Sequence, residues 1–191
     1  MMLFFCQYAY GNIGGKSYIV SSSVESVIEL RTNLPTSISF STAINEGNRS
    51  ESETTTSSDM NAYTNTEGLG IKFVLGVSGN HADKQHPTGS DQLYLIHTGD
   101  IAGQPDSNIR VPYKVQYRPC YLETTTEPAY MDLHPDPTGT ENDVPLANSF
   151  EDDCLPPNGT FGAIRFVRES MTSLPLAGTY QGTVNIDISP Q

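Results

Sequence analysis

Tryptophan is absent, and cationic residues are scarce: 10 Lys and Arg stand against 22 Asp and Glu, for a formal net charge of −12. A surface that acidic repels phosphate backbones and anionic membranes, so nucleic acid is not an expected partner. Long apolar runs are missing as well. No window approaches the ~20 apolar residues that span a bilayer, and none carries a sustained 3.6-residue apolar period, which argues against a helical architecture. The sequence has no G-x-S-x-G elbow, H-E-x-x-H pair, phosphate-binding P-loop or G-x-G-x-x-G turn. Its four histidines, His81, His86, His97 and His134, are scattered, whereas metal sites need convergent ligands. Neither enzymatic chemistry nor a cofactor or metal is expected.

What is present points to strands. Apolar residues make up 36% of the chain, and ten Tyr and seven Phe supply enough bulk for a core. Ser, Thr, Gly and Pro are abundant between short alternating segments, the signature of an all-β protein. Strands are expected at Val27–Leu30, Ser37–Ser41, Ile71–Val77, Gln92–His97, Ile109–Tyr117, Thr160–Val167 and Tyr180–Ile188. Pro112 inside the fifth suggests an edge strand or a bulge. In the last, Tyr180, Val184, Ile186 and Ile188 alternate inward against Thr183, Asn185 and Asp187 outward. Strands of this number and spacing read as one immunoglobulin-like sandwich.

The segment 45–68 is polar and low in complexity and reads as a long loop or flap. Glu123–Asp153 holds nine acidic residues, no Lys or Arg and four prolines, and reads as a large solvated loop. Its Asp132, Asp136, Asp143, Glu151, Asp152 and Asp153 lack the D-x-[DN]-x-[DN]-G spacing of a calcium loop. Asn48 and Asn158 open formal glycosylation sequons.

At the front, M-M-L-F-F-C-Q-Y-A-Y-G is an apolar run ending in a small-x-small triplet. Residues 1–11 therefore read as the remnant of a secretory signal whose start lies upstream; the alternative is an ordinary buried strand. If Cys6 leaves with a signal, Cys120 and Cys154 remain, and a lone pair in an exported protein suggests one disulfide. It would close a loop of about 35 residues, stabilising by roughly 3–4 kcal/mol. Two unrelated thiols are the alternative. Next comes Lys16–Leu30, where Tyr18, Val20, Ser22 and Val24 alternate with Ser17, Ile19, Ser21 and Ser23. This is a half-buried strand with a thin, serine-rich middle and a Gly14-Gly15 leader, unable to hold itself down alone; it is either an ordinary edge strand of its own domain or a strand given to another sheet.

Three segments resemble chaperone–usher pilins of the alternate class, the CFA/I, CS1-type or α-fimbrial family. The terminus A-G-T-Y-Q-G-T-V-N-I-D-I (Ala177–Ile188) is similar to their last strand. Tyr18–Pro35 resembles their opening, with V-I-E-L at Val27–Leu30 followed by Leu34-Pro35, and V-P-Y-K-V-Q-Y (Val111–Tyr117) is similar to a mid-chain strand. The matches cover about a quarter of the chain, in the family's order. Cys120, Cys154 and the acidic 123–153 insert depart from the pattern of the major subunits.

The resemblance implies a sandwich lacking its final strand. Residues 12–26 would be an N-terminal donor-strand extension, and 27–191 a single pilin-like domain. Tyr18, Val20, Ser22 and Val24 would face the groove of a neighbouring subunit, and the strand carrying Tyr180, Val184, Ile186 and Ile188 would border that groove. Implied partners are identical or related pilin subunits, a periplasmic chaperone, an outer-membrane usher and, for an adhesive subunit, a host-surface receptor. Export through the periplasm to a cell-surface fimbrium is implied too. Three functions are weighed: a structural fimbrial subunit, a minor or tip adhesin, and a secreted hydrolase. The last has no catalytic constellation behind it, and 191 residues leave little room for a separate lectin domain.

Overall fold

Alternation along the chain becomes strands wherever a partner strand is within reach. The computed structural model describes residues 28–33, 35–64, 71–122, 126–135, 142–144, 159–160 and 162–190. In chain order the elements are β1 (Ile28–Thr32), β2 (Glu53–Thr54), β3 (Ser58–Thr64), β4 (Ile71–Ser78), α1 (Ala82–Gln85), β5 (Leu93–His97) and α2 (Asp106–Ile109). They continue with β6 (Arg110–Arg118), β7 (Tyr121–Leu122), β8 (Met131–Leu133), β9 (Asp143–Val144), β10 (Gly159–Thr160), β11 (Ala163–Arg168), β12 (Tyr180–Gln181) and β13 (Thr183–Pro190). The larger sheet runs β1-β3-β11-β6-β5-β12, with β2 added to β11 and β8 to β6; the second runs β13-β4-β9, and β7 and β10 pair apart from both as a two-stranded ribbon. All the pairings are antiparallel. The all-β, immunoglobulin-like sandwich expected from the sequence is what forms.

The core lies between the two sheets. On β6 the period-two set Val111, Tyr113, Val115 and Tyr117 is buried. Leu93, Ile164 and Phe166 join it from β5 and β11, and Phe73 and Leu75 meet it from β4. The Phe73 and Tyr117 rings lie 4.6 Å apart, joining β4 to β6. Burial drives the Tyr113 hydroxyl well above the ordinary tyrosine range, so it stays neutral.

Four expectations are corrected. The 45–68 segment is not merely loop: it carries β2 and β3, and Met60 is only 1% exposed in the core. Its apolar content is too thin to announce a strand. β3 exists because β1 pairs with it along five residues and β11 docks on Ser58 and Asp59. Ser37–Ser41 is not a strand; it runs as irregular chain, and only Phe40 reaches the core. Pro112 sits on a central strand, flanked by β5 and β11. It is tolerated because β11 ends opposite Tyr113, and the next residue, Glu169, only donates its N–H to the Pro112 carbonyl at 3.0 Å.

The acidic insert, finally, is partly structured. Leu133 of β8 is buried beside β6, and Asn142 is 0% exposed. The Asn142 amide donates to the carbonyls of Phe73 (3.0 Å) and His134 (2.7 Å), while its Oδ1 accepts the His134 N–H at 2.7 Å. Every polar group of that side chain is used, so it clips the insert to β4 without a desolvation penalty left over.

A candidate strand-docking groove

The C-terminal segment is shaped by two glycines. Gly178 holds φ at 153°, and a Cβ there would fall 2.2 Å from His97 Nε2, so only glycine lets the chain pass the imidazole. That passage brings Tyr180 edge-on to His97, with ring centroids 5.1 Å apart. The Tyr180 hydroxyl lies 2.5 Å from the Leu176 carbonyl and 3.2 Å from that of Asn108, and donates to this pair. Burial raises its pKa, which keeps the donor protonated. The A-G-T-Y tetrapeptide is thus a clamp fastening the turn before the last strands.

At Gly182 the chain changes sheets. The single strand expected over Tyr180–Ile188 is two elements: β12 pairs with β5 in the larger sheet, β13 with β4 in the other. A Cβ at Gly182 would crowd Gln85, Leu95 and the Tyr94 carbonyl, all within 3.4 Å. The crossing is held by Gln85, 3% exposed, which nothing in the sequence singled out. Its Oε1 accepts the Thr183 N–H at 2.8 Å, and its Nε2 donates to the carbonyls of Ser78 (3.1 Å) and Asn80 (2.9 Å).

Beyond Gly182 the alternation holds. Val184, Ile186 and Ile188 pack against the core, and Thr183, Asn185 and Asp187 are exposed. β4 pairs with all eight residues of β13 on one side. On the other side no described strand pairs with it, although β1 runs close by. Adjoining its start is a cleft of about 760 Å³. Residues 35–44 form one wall and 178–184 the other, and the floor is the inner face of the larger sheet: Leu95, Val111, Tyr113, Phe166 and Arg168.

The 35–44 wall hangs on one carboxylate. Glu53 Oε1 accepts the Ser41 N–H (2.6 Å), the Ser41 hydroxyl (2.9 Å) and the Thr42 N–H (3.1 Å), and Oε2 lies 3.5 Å from Arg168 Nη2. Partial burial alone would raise the Glu53 pKa. The hydrogen bonds from Ser41 and Thr42, with the Arg168 charge, outweigh it and hold the group below its ordinary value.

The other sequence candidates separate. Tyr18, Val20, Ser22 and Val24 lie outside the described residues, as do residues 1–11 and Asn158. Cys120 is disulfide-bonded, and both other cysteines, Cys6 and Cys154, lie outside the described residues. The histidines do not converge. His81 precedes α1, His86 Nε2 is 2.6 Å from the Ser90 carbonyl, His97 packs on Tyr180, and His134 lies 3.3 Å from Asp91. Among the described residues no three His, Cys, Asp or Glu are grouped to hold a metal ion. No helix there is long and apolar enough to cross a membrane, which says nothing of a β-barrel. Asn48 spends its side-chain amide inside its own turn, donating to the Ala43 carbonyl at 2.9 Å.

No family model matches this chain, and no curated protein matches it in sequence. Among solved structures, the chain is similar to one described as a chaperone–tip adhesin complex vital for synergistic activation of CFA/I fimbriae biogenesis. The alignment covers 86% of this chain and 42% of that one, at 15% identity and a TM-score of 0.43. This chain therefore spans less than half the length of that one.

Proposed function

We propose that this chain is a structural fimbrial subunit that polymerises head-to-tail by donor-strand exchange into a surface adhesion filament. The observation that carries the reading is β13: an alternating strand, paired by β4 on one side, unpaired by any described strand on the other, and opening onto a cleft. An extended segment added to such an edge gains main-chain hydrogen bonds along its length, and pockets for every second side chain supply the fit. Residues 12–26 of a second copy have the matching pattern, with Tyr18, Val20, Ser22 and Val24 on one face. Donor and acceptor are different surfaces, so the contact is heterologous and generates an open filament rather than a closed ring.

On this reading a bare β13 edge and cleft would aggregate in transit, which calls for a periplasmic chaperone that lends a strand, and for an outer-membrane usher where exchange occurs. Cys154 is the proposed partner of Cys120. The protein then has no catalytic role.

One observation favours a second reading, a minor or tip subunit that binds a host receptor. On the larger sheet the Arg165 guanidinium lies 3.7 Å from the Tyr130 ring, with Arg118 over both Tyr130 and Tyr121. Beside them Asp132 pairs with Lys114 at 2.9 Å. Arg118 pairs in turn with Glu127, and this cluster of paired cations stacked on tyrosines is unusual on a chain with so few Lys and Arg. Copy number separates the readings: many per filament for a shaft subunit, one or a few for an adhesin.

The test is co-expression with a chaperone and usher, of the chain with and without residues 12–24, read on an unboiled SDS gel. A heat-sensitive ladder from the intact chain that vanishes on deletion is expected. A truncated chain that stays soluble without chaperone overturns the proposal.

A further inference from the structure

Arg168 is an oddity in this fold. It ends β11 on the face that carries Ile164 and Phe166, directly opposite Glu53 in register, and it lines the floor of the cleft. The side chain is buried, yet its only ion-pair partner among the described residues is Glu53, at 3.5 Å, whose carboxylate already serves Ser41 and Thr42. Its Nε and Nη1 are out of solvent and meet no hydrogen-bond acceptor among the described residues. A buried guanidinium with two bare donors is expensive. Such a group in a folded protein calls for a reason, and a missing partner is the simplest one.

We infer that Arg168 is the polar anchor of the groove: its Nε–H and Nη1–H receive oxygen atoms of the segment that fills it, residues 16–25 of a second copy, with the Ser22 hydroxyl as the side-chain acceptor. The inference rests on the strand-exchange reading and supplies its register. Nε–H and Nη1–H lie on different edges of the planar fork, so one bidentate carboxylate cannot take both. Two separate oxygens are needed, as an extended peptide offers in its carbonyls and hydroxyls. Lys16 stands six residues before Ser22, and residues 17–30 contain no Lys or Arg, so the stretch set against the anchor brings no like charge, and Ser21-Ser22-Ser23 provides hydroxyls at its centre.

Apolar alternation by itself cannot choose a register, because a slip by two residues returns the same face to the groove. With Arg168 in the floor the choice is made. Ser22 opposite the guanidinium satisfies it, whereas a two-residue slip sets Val20 or Val24 there and leaves the donors bare.

The experiment uses the full chain with chaperone and usher, and measures dissociation of the unboiled ladder on warming for wild type, R168M, S22A, S22V and the R168M/S22A double variant. Urea midpoints of chaperone-released monomer are measured alongside. A hydrogen bond to a charged group predicts about tenfold faster dissociation for each single variant, with the double variant no faster than R168M. Additive effects, or an S22A ladder indistinguishable from wild type, overturn the inference. So does an R168M ladder as durable as wild type. Should R168M lower the monomer midpoint, the S22A and S22V arms decide, since both leave the acceptor floor intact: S22V must dissociate at least as fast as S22A. A wild type that gives no ladder defeats the strand-exchange reading itself, which is a different result from a ladder indifferent to Arg168.

Discussion

Single residues carry most of the constraint on the groove. At Gly178 an alanine would meet both a φ of 153° and the His97 ring. G178A should lose roughly 2–4 kcal/mol, read as a lower urea midpoint at unchanged slope. H97A in the same chain should recover part of that loss, removing the clash but not the backbone strain; an undamaged G178A would refute the clamp. Glu53 gives a pH signature. Its folded pKa lies below the ordinary 4.5, so its contribution is complete above the unfolded value and is lost as pH falls through the folded one. E53Q should therefore be less stable than wild type at pH 7, with the difference shrinking below about pH 4.5 as the wild-type carboxylate protonates. Equal stabilities at neutral pH would show that Ser41 and Thr42 do not need the charge.

Among elements, the crossing from β12 to β13 is the joint on which the edge strand depends. Gln85 holds it from a four-residue helix, tying the Thr183 amide to the end of β4. Q85A leaves a part-buried N–H and two part-buried carbonyls without their partner, so a loss of about 1 kcal/mol is expected. Amide hydrogen exchange should localise the damage: faster at Thr183 than at Phe73 or Val115. A uniform rise would mean that the joint is not independent of the core. Asn142 plays a comparable part for the insert, since its side chain spends all its hydrogen bonds on Phe73 and His134. Of the acidic stretch, β8 and β9 belong to the two sheets.

Over the whole molecule the questions are covalent closure and assembly. Cys120 is disulfide-bonded. If Cys154 is its partner, Glu-C digestion without reductant should yield one linked peptide pair holding both residues. C154S should then be about 3–4 kcal/mol less stable, from the loss of a loop of roughly 35 residues. A link from Cys120 to Cys6 would instead tie the N-terminal run to the fold and remove it from the signal reading. The assembly test belongs here as well: loss of the ladder on deleting residues 12–24 is the outcome expected of a subunit whose neighbour supplies the strand.

The all-β class, the strands β4, β5, β6 and β11, and the inward set Val184, Ile186 and Ile188 are legible in one dimension. Each is a local period-two pattern, and burial on one face follows wherever that pattern meets a partner strand. The rest depends on contacts between segments far apart in the chain. β3 looks like loop because its stretch of sequence is polar and low in complexity, and β1 and β11 make it a strand. Ser37–Ser41 alternates like a strand yet hangs on Glu53, twelve residues beyond Ser41. Gln85 and Asn142 are unremarkable letters until residues 98 and 69 positions away lie beside them. The bare donors of Arg168 have no trace in sequence, because satisfaction of a buried polar group depends on every neighbour in three dimensions and on no pattern in one.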